Sequence, residues 1–152
     1  MKRPAKHYFW IGGLTVLVLL AAAQLVPYGH QRTNPPIGSE PAWATRETRA
    51  LTRRACFDCH SNETVWPPYT RVAPFSWLIQ HDVDEGRAMV NFSEWQRPQE
   101  EAAESAAVVR EGEMPPLLYT LMHPEARLTP EEAARLAEGL SRLALPPLEA
   151  SH

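Results

Sequence analysis

The chain has two cysteines, Cys56 and Cys59, three positions apart, and His60 follows the second directly. This run, Cys56-Phe57-Asp58-Cys59-His60, constrains the chain more than any other feature. A disulfide closing so small a loop would stabilise little. Two cysteines cannot complete a four-cysteine zinc site. A redox C-x-x-C normally opens a helix after a strand, and no strand pattern is visible here. The C-x-x-C-H spacing itself points to haem. Thiols about one helical turn apart reach both haem vinyl groups and form thioethers, and the adjacent histidine falls under the iron. The expectation is one haem c, covalently attached through Cys56 and Cys59, with His60 as an axial ligand.

A closed electron-transfer haem needs a second axial ligand. Met89, Met114, Met122, His30, His81 and His123 are the candidates. Met114 is preferred because it lies in Gly112-Glu113-Met114-Pro115-Pro116, a loop stiffened by proline just before the last helix. A neutral thioether there favours ferrous iron and raises the potential. Met89 and Met122 read as core packing. His123 reads as a local hydrogen-bonding group, and His81 or His123 as ligand would give a lower potential. Trp66, Tyr69, Trp77, Phe92 and Trp95 are candidates for pocket lining or general core. Arg71 and Arg87 are candidates for pairing with the propionates. Asn91 and Ser61-Asn62 read as caps or turns.

Residues Tyr8 to Val26 carry no charged side chain, and Lys2, Arg3 and Lys6 precede them. As a helix that run is roughly 28 Å long, matched to a bilayer core of about 30 Å. The basic flank favours a cytoplasmic N-terminus. An uncleaved single-pass anchor is expected, with a cleaved signal peptide as the rival. Both readings export the rest of the chain, and placement on the periplasmic side of the bacterial inner membrane follows. Beyond the first thirty residues there are 12 basic and 18 acidic residues, and no lysine. An acidic domain of this kind excludes nucleic acid as a partner.

The expected organisation is an anchor or signal peptide over 1–27, a linker over 28–40, a haem-binding domain over 41–145 and a tail over 146–152. The fold class is all-α. Helices are expected over Pro41–Ala55, Pro74–Val90 and Pro98–Glu111, with a turn over Leu117–Met122. Ser93 and Gln96 give a weak capping-box signal. Thr129, Pro130 and Glu132 open the clearest helix, with Ala133, Leu136, Ala137, Leu140 and Leu143 on one face. Pro146-Pro147 stops it.

Several stretches together resemble a known family. They are Cys56 to Pro67, Ala73-Pro74-Phe75-Ser76-Trp77-Leu78, Asp82-Val83 through Gly86-Arg87, and Asn91-Phe92-Ser93-Glu94-Trp95. Gly112-Glu113-Met114-Pro115-Pro116, Tyr119, His123-Pro124 and Ala126 complete the pattern. Residues from about Asn34 to Leu143 are similar to the haem-binding-domain family of membrane-anchored monohaem c-type cytochromes. The resemblance implies a small cytochrome c-like helical domain with His60 and Met114 on the iron. Pro68 departs from the aromatic residue usual in the family after Trp66-Pro67. The family supplies no substrate. Electron transfer is therefore expected, with a membrane dehydrogenase, a quinol-oxidising complex or a terminal oxidase of the respiratory chain as redox partner. A haem-bearing subunit of a larger complex and a haem peroxidase-like enzyme are the rivals.

Overall fold

A computed structural model describes residues 5–143. The tail expected over 146–152, and Pro146-Pro147 as its helix stop, lie outside the described residues. Among the described residues every regular element is helical. The helices are α1 (Ala5–Ala23), α2 (Arg46–Ala55), α3 (Phe57–His60), α4 (Phe75–Met89), α5 (Ser105–Arg110), α6 (Leu117–Met122) and α7 (Pro130–Leu143). Chain contacts define two units, Met1–Thr33 with Trp66–Asp82, and Asn34–Val65 with Val83–His152. Helix α4 contributes to both.

In the first unit, α1 exposes its large apolar side chains from Tyr8 to Leu20. Among the described residues no helix is long and apolar enough to cross a membrane. The expected run reached Val26, but α1 stops at Ala23. The uncharged helical part is then about 24 Å long, short of a bilayer core. Gln24 ends the helix by side-chain bonding. Its Nε2 donates to the carbonyls of Leu20 and Ala73, at 2.9 and 3.1 Å, and its Oε1 accepts from the Ala73 N–H at 3.0 Å. Gly29 has φ +79° and lies against the Ser76 backbone, where a Cβ would collide.

The second unit carries the Cys56–His60 motif. Helix α2 begins at Arg46, five residues later than expected, because Thr45 caps it: the Thr45 hydroxyl accepts from the Thr48 N–H at 2.9 Å. Helix α7 opens as expected. The Thr129 N–H donates to Glu132 Oε2 at 2.9 Å, and the Glu132 N–H donates to the Thr129 hydroxyl at 3.2 Å. The expected Pro98–Glu111 helix is two pieces, a 3-10 turn at Glu100–Ala103 and then α5. No helix follows Ser93. Its hydroxyl instead accepts from the Asn62 N–H at 3.0 Å, and Gln96 Oε1 accepts from the Ser39 N–H at 3.1 Å.

Helix α7 packs on α2 and α5. Gly139 permits the close approach to α2, since a Cβ there would overlap the Thr48 side chain. Leu136, Ala137 and Leu140 of α7 enter a core with Leu51, Phe57, Val90, Phe92 and Val109. Burying such side chains contributes about 1.5–3 kcal/mol each. Met89 and Met122 were expected in a core and are not: they are 50% and 60% exposed.

Candidate haem-attachment site

The end of α2 and the whole of α3 set the motif. The N–H groups of Cys59 and His60 both donate to the Cys56 carbonyl, at 3.2 and 2.9 Å. That single turn gathers Cys56, Cys59 and His60. Neither cysteine forms a disulfide, and both are half-buried. Burial, with Cys59 nearby, pushes the Cys56 thiol up to about 12. A redox or metal-binding cysteine needs a stabilised thiolate, and this site favours the neutral thiol. Among the described residues no group of three or more His, Cys, Asp or Glu side chains is placed to hold a metal ion. Among the described residues a zinc half-site at Cys56 and Cys59 therefore has no further ligands placed beside it.

His60 is fixed on two sides. Its Nδ1 lies 3.1 Å from the Val90 carbonyl, and its own carbonyl accepts from the Phe92 N–H at 2.8 Å. Burial holds the imidazole below its ordinary value, against the opposing bonds to the Val90 and Gly86 carbonyls. The ring is thus neutral near pH 7. With Nδ1–H donated to Val90, the lone pair sits on Nε2, the tautomer a metal-ligating histidine requires. The donor set fits a C-x-x-C-H haem: two thiols and one oriented imidazole on a single turn.

The floor under the motif is aromatic. Phe92 stacks on Phe57 and Trp95, with centroids 6.0 and 5.8 Å apart, and lies 5.5 Å from Trp43. Phe92 and Trp95 thus belong to the core beneath the motif. Trp66, Tyr69 and Trp77 are half-buried in the first unit.

Gly86 of α4 meets the motif backbone. A Cβ there would lie 2.6 Å from the Cys59 carbonyl oxygen. Arg87, a candidate for the propionates, bonds protein atoms. Its Nε donates to the Ser61 carbonyl at 2.8 Å, and its Nη2 to Asn34 Oδ1 and Thr64 Oγ1, each at 2.9 Å. Arg71, the other candidate, is exposed at the end of a 3-10 turn in the first unit.

Asp58, inside the motif, was not singled out by sequence. Its Oδ2 accepts from the Tyr119 hydroxyl at 2.8 Å and its Oδ1 from the Val65 N–H at 3.0 Å. Burial and the Asp58 carboxylate push the Tyr119 phenol well above its ordinary value, so it remains a donor. The bond ties α6 to the motif.

Met114 lies just beyond α5. Gly112, at φ +75°, reverses the chain, and the N–H groups of Glu113 and Met114 both donate to the Val108 carbonyl, at 3.0 and 3.2 Å. Met114 is half-buried against the core cluster. His30 and His81 are exposed. His123 bonds locally, its Nδ1 3.2 Å from Glu125 Oε1, with its ring stacked on Tyr119 at 4.5 Å.

No curated protein and no solved structure matches the chain. A family model described as a haem-binding domain matches residues 18–142, most of the chain and the whole of the motif region. The match contains the Cys56–His60 turn, and the chain belongs to the haem-binding domain family.

Proposed function

We propose that this chain is a monohaem c-type cytochrome that transfers electrons on the periplasmic side of the bacterial inner membrane. Cys56 and Cys59 hold the haem by thioethers, and His60 and Met114 are its axial ligands. Held by His60 and Met114, a haem would supply one-electron exchange between ferrous and ferric iron, at a potential raised by the thioether. The observation that carries the reading is the His60 arrangement: an imidazole whose Nδ1 is engaged by Val90, on one turn with two cysteines that form no disulfide.

The chain's own residues divide the remaining work. Val90 fixes the imidazole, Gly86 lets α4 approach the motif, and Asp58 gathers Tyr119 and Val65 at the motif. The half-buried Met114 side chain, on a loop with two prolines, suits a fixed sulfur ligand. That sulfur opposes a peroxidase-like open iron.

Membrane attachment is supported by α1, whose large apolar side chains from Tyr8 to Leu20 are exposed, and by Lys2, Arg3 and Lys6 ahead of them. Attached protein stays with the membrane after a high-salt wash; release by salt contradicts it. One observation favours a second reading, a haem-bearing subunit of a larger respiratory complex. Leu117, Leu118, Leu121 and Met122 of α6 are 56–74% exposed. Detergent-solubilised protein that migrates with partner chains supports the subunit reading, and a monodisperse single chain supports the carrier.

The test of ligation is spectroscopic. The ferric protein should show the weak near-infrared sulfur-to-iron band of a methionine ligand, and Met114→Ala should abolish it. A band that survives the substitution assigns the ligand to another methionine.

A further inference from the structure

The segment that holds His60 is itself held by a buried polar network. Asn91 is 1% exposed, Asn62 3% and Ser93 0%. Buried polar groups of this kind are costly unless bonded, and these are bonded to one another. Asn91 Nδ2 donates to Asn62 Oδ1 at 2.8 Å, and Asn91 Oδ1 accepts from the Ser93 N–H at 2.9 Å. The Asn91 N–H donates to Gln99 Oε1 at 2.9 Å. Asn62 Nδ2 donates to the Pro36 carbonyl and to Glu94 Oε1, each at 2.9 Å.

The network encloses the His60 contacts. Asn62 lies two residues after His60, and Asn91 lies between Val90, whose carbonyl takes the imidazole Nδ1, and Phe92, whose N–H takes the His60 carbonyl. The Asn62–Asn91 bond therefore links the two stretches of chain that carry the histidine and its acceptor. Hydrogen bonds cross between residues 60–62 and 90–94 at His60 Nδ1, at the His60 carbonyl, and at the Asn62 N–H, Oδ1 and Nδ2. A purely packing role needs no such pairing: an apolar pair of equal volume would fill the same space without an unmet donor.

We propose that Asn91 and Asn62 are positioning residues for His60: they fix the Val90 carbonyl against the imidazole Nδ1–H and so set the electron donation of the axial ligand. A well-aligned acceptor at Nδ1 makes the imidazole a stronger base, which stabilises ferric iron and lowers the potential. Loosening the acceptor raises it. The inference rests on His60 being an axial ligand.

The test compares holoprotein variants by redox titration and thermal melting. Asn91→Ala and Asn62→Ala should each keep the covalent haem, yet raise the ferrous-to-ferric ratio at fixed ambient potential by about threefold. Leu140→Ala, in the core of α7, should lower the melting temperature without moving the potential. Asparagine variants that melt earlier at an unchanged potential overturn the inference. The wild-type ferrous protein gives a second arm, independent of whether the variants fold. The His60 Nδ1 proton should exchange slowly with water, and rapid exchange overturns the inference. Failure of the underlying ligation reading looks different, because His60→Ala would then leave the low-spin haem spectrum intact.

Discussion

The two segments proposed to ligate the iron are secured in opposite ways. His60 is held by chain distant in sequence: the Val90 carbonyl at 3.1 Å, the Phe92 N–H at 2.8 Å, and the Asn62–Asn91 pair beside them. Met114 is held by its own neighbourhood. The Val108 carbonyl takes its N–H, Gly112 turns the chain, and Pro115-Pro116 stiffen the backbone on its C-terminal side. The histidine is therefore fixed only when the second unit has folded, whereas the methionine loop is shaped within residues 108–116. The difference teaches where substitutions should act. Changes around His60 should disturb the whole site, and changes around Met114 should alter one ligand.

Replacing the two proposed ligands gives the largest contrast. His60→Ala should lower the yield of mature haem protein about tenfold or more and abolish the low-spin visible spectrum. Met114→Ala should leave the haem attached, remove the near-infrared sulfur band and lower the potential. Equal loss of haem in both variants would break the asymmetry.

The two glycines that serve these segments sharpen it. At Gly86 an added methyl meets the Cys59 carbonyl at 2.6 Å, and neither backbone can yield. Gly86→Ala should destabilise the protein by about 2–3 kcal/mol and shift the haem spectrum. Gly112 has open space around it and only its φ of +75° to object. Gly112→Ala should cost about 1 kcal/mol, with the visible spectrum unchanged. Chemical denaturation with parallel absorbance separates the two.

The smallest effect lies on the arm leading into α2. Glu40 accepts from Arg49 Nε and Nη2, each at 2.6 Å, and from Trp43 Nε1. The Arg49 bond holds the Glu40 carboxyl below its ordinary value. Its stabilisation is present above the unfolded carboxyl pKa and is lost as pH falls through the lower folded value. Glu40→Gln should therefore destabilise by less than about 1 kcal/mol at neutral pH, and the difference should vanish in acid. A difference that grows on acidification would contradict the assignment.

What the sequence made legible was local. The C-x-x-C-H turn, the all-helical class and the Thr129–Glu132 cap depend on neighbours a few residues apart, and each is present. What it hid was long-range. Gly86 reads as an ordinary helical glycine until α4 is laid against Cys59. Asn62 and Asn91 read as caps or turns, yet their side chains meet across 29 residues. Ser93 and Gln96 matched a capping box whose groups are taken by Asn62 and Ser39. Met89 and Met122 read as core because methionine usually packs, but their helices turn them outward. The N-terminal run read as long enough to span a bilayer because composition does not mark where Gln24 draws the chain into a turn.

Covalent haem on Cys56 and Cys59 can be tested in one preparation. The protein, expressed with export and precipitated with acid-acetone, is denatured in alkaline pyridine and its reduced spectrum is recorded. The haem should remain with the polypeptide and give a c-type haemochrome. Haem released into the acetone, leaving a colourless chain, would contradict it.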